Sequence, residues 1–163
     1  MELSSLPYVQ LIHPKVIHFP IALFIGAVGM EVLSLIFSAI GARLPSVGQG
    51  SASGGKKDNL HRTAFHLYIL ATVITPFVVL TGLQEAEHLH LSHPILTIHK
   101  DFALLTMWGS LVSLSILWLI KKKWEKALRV IFIVFLLMLA TFVSIAGHNG
   151  GRMVYEYGVG AEQ

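Results

Sequence analysis

Cysteine is absent from the 163 residues, which excludes disulfides, thiolate-bound metals and cysteine nucleophiles. Charge is scarce too. Only 13% of the residues are Asp, Glu, Lys or Arg, where a soluble domain carries about a quarter. No phosphate-cradling glycine loop, GxSxG elbow or HExxH helix motif occurs, so nucleotide-binding, serine-hydrolase and zincin chemistry have no footing. No basic patch is interleaved with aromatics, and nucleic acid is not an expected partner.

What is present is apolar. Hydrophobic residues make up 54% of the chain, and the mean hydropathy is +0.68. Four apolar runs, about 16–40, 64–83, 102–120 and 128–147, each approach the ~20 residues that cross a bilayer. In lipid the backbone must satisfy its own hydrogen bonds, so each run is expected to be a helix. The expected fold is therefore all-α, an integral membrane four-helix up-down bundle forming a single domain over 1–163. The first run lacks a basic n-region and a small-residue cleavage site, and reads as a span rather than a cleaved signal. Residues 41–61, in the Gly/Ser-rich "GARLPSVGQGSASGGKKDNLHR", read as a flexible loop; residues 148–163 read as a tail.

Orientation follows from the basic residues. Arg43, Lys56, Lys57, Arg62, Lys121, Lys122, Lys123, Lys126 and Arg129 fall on one side, with Lys15, Lys100 and Arg152 on the other. The positive-inside bias then places both termini outside the cytoplasm.

Nine histidines are many for such a chain, and the up-down threading sends seven to the outer side: His13, His18, His88, His90, His93, His99 and His148. Interfacial imidazoles tolerate headgroups, which suffices for any one of them. Three suggest more. "HPKVIH" and "HPILTIH" are near-repeats, each with a proline suited to a first helical turn, and they set His18 and His99 slightly inside spans one and three. His148 closes span four in "SIAGHNGG", where the glycines are expected to end the helix. Imidazoles converging from neighbouring helices hold haem iron or a metal ion in bundles, and copper, zinc and iron all accept them.

Glu31 is the other anomaly. A carboxylate in hydrocarbon is costly and should be protonated, paired or turned inward; His66 is the expected partner, either fixing packing or relaying protons. In "QEAEHLHLSHP", Glu85, Glu87, His88, His90 and His93 offer a weak divalent-metal reading. Pro76 is expected to kink span two. Gly109 with Ser113, and Ala140 with Ser144, offer close helix contact.

"HPKVIHFPIALFIGAVGMEVL" at one end and "GGRMVYEYGVG" at the other, with "LTGLQEAE" and His99-Lys100 between, resemble the bacterial four-helix membrane family known as DUF2231. Members of that family are similar in layout to cytochrome b subunits, and some are joined to cytochrome c-like segments. The resemblance implies haem b and electron transfer near the outer face of the bacterial cytoplasmic membrane. A c-type cytochrome or another redox subunit would be the partner, beside lipid. On that reading His18 and His99, on diagonal helices, are the axial ligands, with His148 an alternate ligand or propionate donor. His13 orients a ligand ring, and Arg152 is the propionate counter-charge. Two readings stand beside it: a histidine-rich protein binding copper, zinc or iron through His18, His99 and His148, and a structural subunit without a cofactor.

Overall fold

In the computed structural model, residues 12–43, 52–88, 93–120 and 125–158 are described, and they form five helices with no strand among them. These are α1 (Ile12–Val16), α2 (His18–Arg43), α3 (Ala52–His88), α4 (Pro94–Ile120) and α5 (Glu125–Tyr155). The last four are long and apolar enough to cross a membrane. The all-α four-helix membrane fold read from the apolar runs is the fold observed.

The helices overrun their apolar runs. α3 already begins at Ala52, so the segment expected as loop over 41–61 is helical in its second half. α5 passes through Gly150 and Gly151 to Tyr155, and the chain leaves the helical region only at Gly158, with a φ of 62°. The glycines of "SIAGHNGG" thus do not end the helix. A helical glycine costs roughly 1 kcal/mol relative to alanine, and at Gly150 the missing Cβ makes room for a neighbouring ring, described below. Lys121, Lys122 and Lys123 of the basic turn lie outside the described residues.

Two prolines set the start of the bundle. Pro20, third in α2, has no N–H to give the Val16 carbonyl four residues back, and its ring crowds that carbonyl. The helix is accordingly interrupted at Ile17, although Ile17 N still donates to the His13 carbonyl at 3.0 Å. At α4, Pro94 takes the first helical position while His93 caps it: Ile95 N donates to His93 Nδ1 at 3.3 Å, and Leu96 N to the His93 carbonyl at 2.9 Å. α3 continues through Pro76.

α2 packs on α3 and on α5, α4 packs on both α5 and α3, and α2 stands diagonally from α4. α1 lies against α3. The core comprises Phe24 and Ala27 of α2, Ala64, Tyr68 and Ala71 of α3, Leu117 of α4, and Phe132, Leu136, Leu139 and Val143 of α5. Phe132 meets Phe65 and Tyr68 edge-on at 5.5 and 5.4 Å, pairs worth about 0.5–1.5 kcal/mol each beyond the area they bury. Small residues bring backbones close. A Cβ on Gly109 would lie 3.2 Å from Leu139 of α5, whereas Ser113 faces Tyr68 of α3. Ala140 is buried but Ser144 is exposed. Phe77, Trp108, Trp118, Leu119 and Val130 are each 60% or more exposed, as a lipid-facing surface requires.

Candidate functional site

Two ends of the bundle carry polar clusters. At the terminal end, where α1 and the close of α5 lie, α1 carries His13 onto α3. There His13 Nδ1 lies 3.1 Å from the Val78 carbonyl and 3.3 Å from Thr81 Oγ1. Across from it, His99 of α4 is 7% exposed and sets its Nδ1 2.7 Å from the Ala146 carbonyl of α5. A carbonyl only accepts, so in both rings Nδ1 carries the proton and Nε2 keeps a lone pair. Neither Nε2 has a hydrogen-bond partner among the described residues.

The two rings lie 6.3 Å apart between centroids, with their planes at 83°. Each rests on a glycine. A Cβ on Gly82 would fall 2.5 Å from His13 Cε1, and one on Gly150 would fall 3.1 Å from His99 Cε1. Both rings border a cavity of about 400 Å³, whose wall also includes His18, Glu85, Lys100 and Thr106. That volume lies within the ~300–1,000 Å³ of small-molecule sites. Glu85 Oε2 is sealed from solvent, with no hydrogen-bond partner among the described residues.

The structure thus brings His13, rather than His18, into ring contact with His99. His18 is exposed and borders the same cavity. The reason is angular: five residues carry a helix about 140° beyond a full turn, so with His13 set against α3, His18 faces elsewhere. His148 is exposed and borders a separate groove between α2 and α5, beside Ile25 and Ser144. Arg152 is engaged by its own helix end, with Nε 2.8 Å from Glu156 Oε2 and an amino nitrogen 3.1 Å from the Tyr157 hydroxyl. Lys100 is the basic residue on the cavity wall. Its place follows from His99, but its role was not legible in the sequence.

At the loop end, Glu31 is 2% exposed, and both of its oxygens are used. Arg129 Nε donates to Oε1 at 2.7 Å, and His61 Nδ1 lies 2.7 Å from Oε2. Arg129 also donates to Ser34 Oγ at 2.9 Å. The expected Glu31–His66 pair is therefore not formed. Five residues advance a helix by nearly one and a half turns, so with His61 turned towards α2, His66 is left exposed. Arg129, one of the basic residues that set the orientation, belongs to α5, which starts at Glu125, and is a helical residue facing the bundle. An inward-facing, paired carboxylate is what hydrocarbon demands.

The loop reading dissolves in part. His93 caps α4 and lies 4.6 Å from the Tyr157 ring; Glu87 is exposed. His90 and the His88 side chain lie outside the described residues. Among the described residues no three His, Asp or Glu side chains converge as a metal site, and His18, His99 and His148 do not form one.

Fold and sites together define a multi-pass four-helix membrane protein with polar clusters at both ends. The family model described as "Predicted membrane protein (DUF2231)" matches residues 10–163. The chain belongs to that family. No curated protein and no solved structure matches it.

Proposed function

We propose that this protein is a membrane-embedded electron-transfer subunit that holds a b-type haem between His13 and His99. The observation that carries this reading is the imidazole pair. The two side chains come from different helices, lie 6.3 Å apart between ring centroids and border one cavity of about 400 Å³, where they would hold the iron. Both rings keep Nε2 away from these hydrogen bonds, and the backbone carbonyls fix their orientation. The glycines beneath them leave room for flat packing that a Cβ would obstruct.

A haem so held supplies a one-electron Fe(III)/Fe(II) couple. The chain's own residues do the rest. Val78 and Ala146 orient the ligands, Lys100 offers charge to carboxylates at the cavity wall, and the apolar wall of Ile21, Val79 and Val143 keeps water out. In the proposed setting the site lies near the outer face of a bacterial cytoplasmic membrane, where a c-type cytochrome or similar redox subunit exchanges electrons with it.

The test is a dithionite-reduced minus oxidised spectrum of detergent-purified protein from haem-replete cells. A sharp Soret and alpha band, lost in His13→Ala and His99→Ala and kept in His18→Ala, is expected. A flat trace at high protein concentration would sink the proposal.

A further inference from the structure

A second recess opens on the outside of the bundle, between α2 and α5, and a haem in the histidine cavity leaves it unused. It is a groove of about 510 Å³, lined by Ile25 and Val28 of α2 and, on α5, by Leu137, Thr141, Ser144 and His148 among others. Ile25 and Leu137 are 46% and 50% exposed, so the groove faces the bilayer. Leu137 and His148 stand eleven residues apart, about 16 Å of helix. Thr141, Ser144 and His148 follow one another at three and four residues and so share one face of α5. The Thr141 and Ser144 hydroxyls are used by their own helix, donating to the Leu137 and Ala140 carbonyls at 2.9 and 2.6 Å. The His148 imidazole makes no hydrogen bond among the described residues. It stands seven residues inside the end of α5, about 10 Å, where a polar group without a partner is costly.

The groove thus offers one imidazole at the head of an apolar floor. Neutral imidazole carries one N–H and one lone pair, so it can donate to a carbonyl or accept from a hydroxyl. A phosphate would call for a cation, and the lining includes no lysine or arginine. Arg152, four residues beyond His148, is engaged by Glu156 and Tyr157. The occupant that fits is an uncharged ring bearing carbonyls or hydroxyls on an apolar tail, entering from the lipid. The groove also backs on the histidine cavity. Ile21, Ala146 and Gly147 border the cavity, whereas Ile25, Ile145 and His148 border the groove. Between them the two helices meet closely: a Cβ on Gly147 would fall 2.9 Å from Ile21 Cδ1. The Ala146 carbonyl that holds His99 is two residues from His148.

We propose that the α2–α5 groove binds a prenylquinone, with a ring oxygen hydrogen-bonded to His148 and the tail laid along Val28 and Leu137 towards the middle of the bilayer. His148 donates to a carbonyl of the oxidised ring and accepts from a hydroxyl of the reduced one. Ser144, small and on the same face, leaves the ring room against α5. The choice of a quinone over another neutral lipid rests on the electron-transfer function proposed above, because the histidine cavity lies one helix contact away. The groove and its imidazole do not depend on the haem. Only hydrogen bonds and apolar contacts form at this site.

Full-length protein in nanodiscs of quinone-free phospholipid tests this, titrated with a short-tailed prenylbenzoquinone labelled with ¹³C at its ring carbonyls. Saturable binding of one quinone per chain is expected, with a carbonyl stretch displaced to lower frequency by hydrogen bonding. His148→Leu should remove the displaced band, and Ser144→Phe, which fills the groove, should weaken binding by about tenfold or more. His18→Ala, on the cavity wall, should change neither. Ser144 and His148 are both exposed, and melting curves show that the fold survives; should either variant fail to fold, Thr141→Phe closes the groove one turn away. No saturable binding, or folded groove variants that bind like wild type, would overturn the proposal. So would native mass spectra in which phospholipid alone is retained. The measurement needs no iron: quinone binding without a Soret band sinks the haem reading alone, and a Soret band without quinone binding sinks only the groove's.

Discussion

Gly82 shows how much one missing carbon can decide. The His13 ring lies so close to it that an added Cβ would overlap the imidazole. Gly82→Ala should therefore displace His13 while favouring the helix by roughly 1 kcal/mol. On the proposed function, the expected outcome is a loss of haem absorbance per protein with an unchanged or raised melting temperature, a combination that a general loss of fold would not give. Glu31 makes the opposite case. Arg129→Ala leaves a buried carboxylate with His61 as its only ion partner among the described residues, and should destabilise by about 3 kcal/mol or more. Glu31→Gln frees an arginine that is one-third exposed and able to reach the interface, and should cost less, on the order of 1–2 kcal/mol. His66→Ala should stay within about 0.5 kcal/mol of wild type. Denaturant titration in detergent ranks the three; an effect of His66→Ala as large as that of Arg129→Ala would contradict the geometry.

At the scale of the element, the break between α1 and α2 is the feature on which the terminal-end site turns. Pro20→Ala would restore an amide to the Val16 carbonyl, closing the interruption at Ile17 and shifting His13 against α3. Because the chain has no cysteine, spin labels can be set at Lys15→Cys and Gln84→Cys alone, both on exposed positions. Their separation should be short and narrowly distributed, and should change in Pro20→Ala. Helix rotation also explains what the sequence concealed. "HPKVIH" shows two histidines nearly one and a half turns apart on what reads as a single helix, and depth alone favours His18 as the ligand. Which of the two faces α3 and α4 depends on the rotation of that helix, which the apolar pattern does not give. His99, by contrast, was legible, since "HPILTIH" begins a helix that runs straight. The Glu31 partner was missed for a related reason: Arg129 lies close to a run of lysines, and its membership of α5 depends on where that helix begins.

For the whole molecule, the apolar runs carried nearly everything that the fold required. Their number and length gave four helices, threaded alternately up and down through the bilayer. What they did not carry was rotation about each helix axis, because apolar residues surround every helix and no single face stands out. Rotation is set instead by the few polar residues that must avoid lipid: Glu31, Tyr68, Ser110, Ser113 and His99 turn inward, and Phe77, Trp108 and Trp118 turn out. Trp108 lies near the middle of α4 and Trp118 near its end. In single-tryptophan variants reconstituted with brominated lipids, Trp108 should be quenched best by bromines deep in the acyl chains, and Trp118 by those near the headgroups. Equal depth profiles would contradict a transmembrane α4.

The short reach of α1 also bears on biogenesis. His13 is fixed to α3 by one side chain's hydrogen bonds to Val78 and Thr81, on a five-residue helix outside the four-helix core. On the proposed function, a group bound at the cavity would take one ligand from this short segment and the other from a spanning helix, so loading would depend on how firmly α1 is seated as well as on the packed bundle.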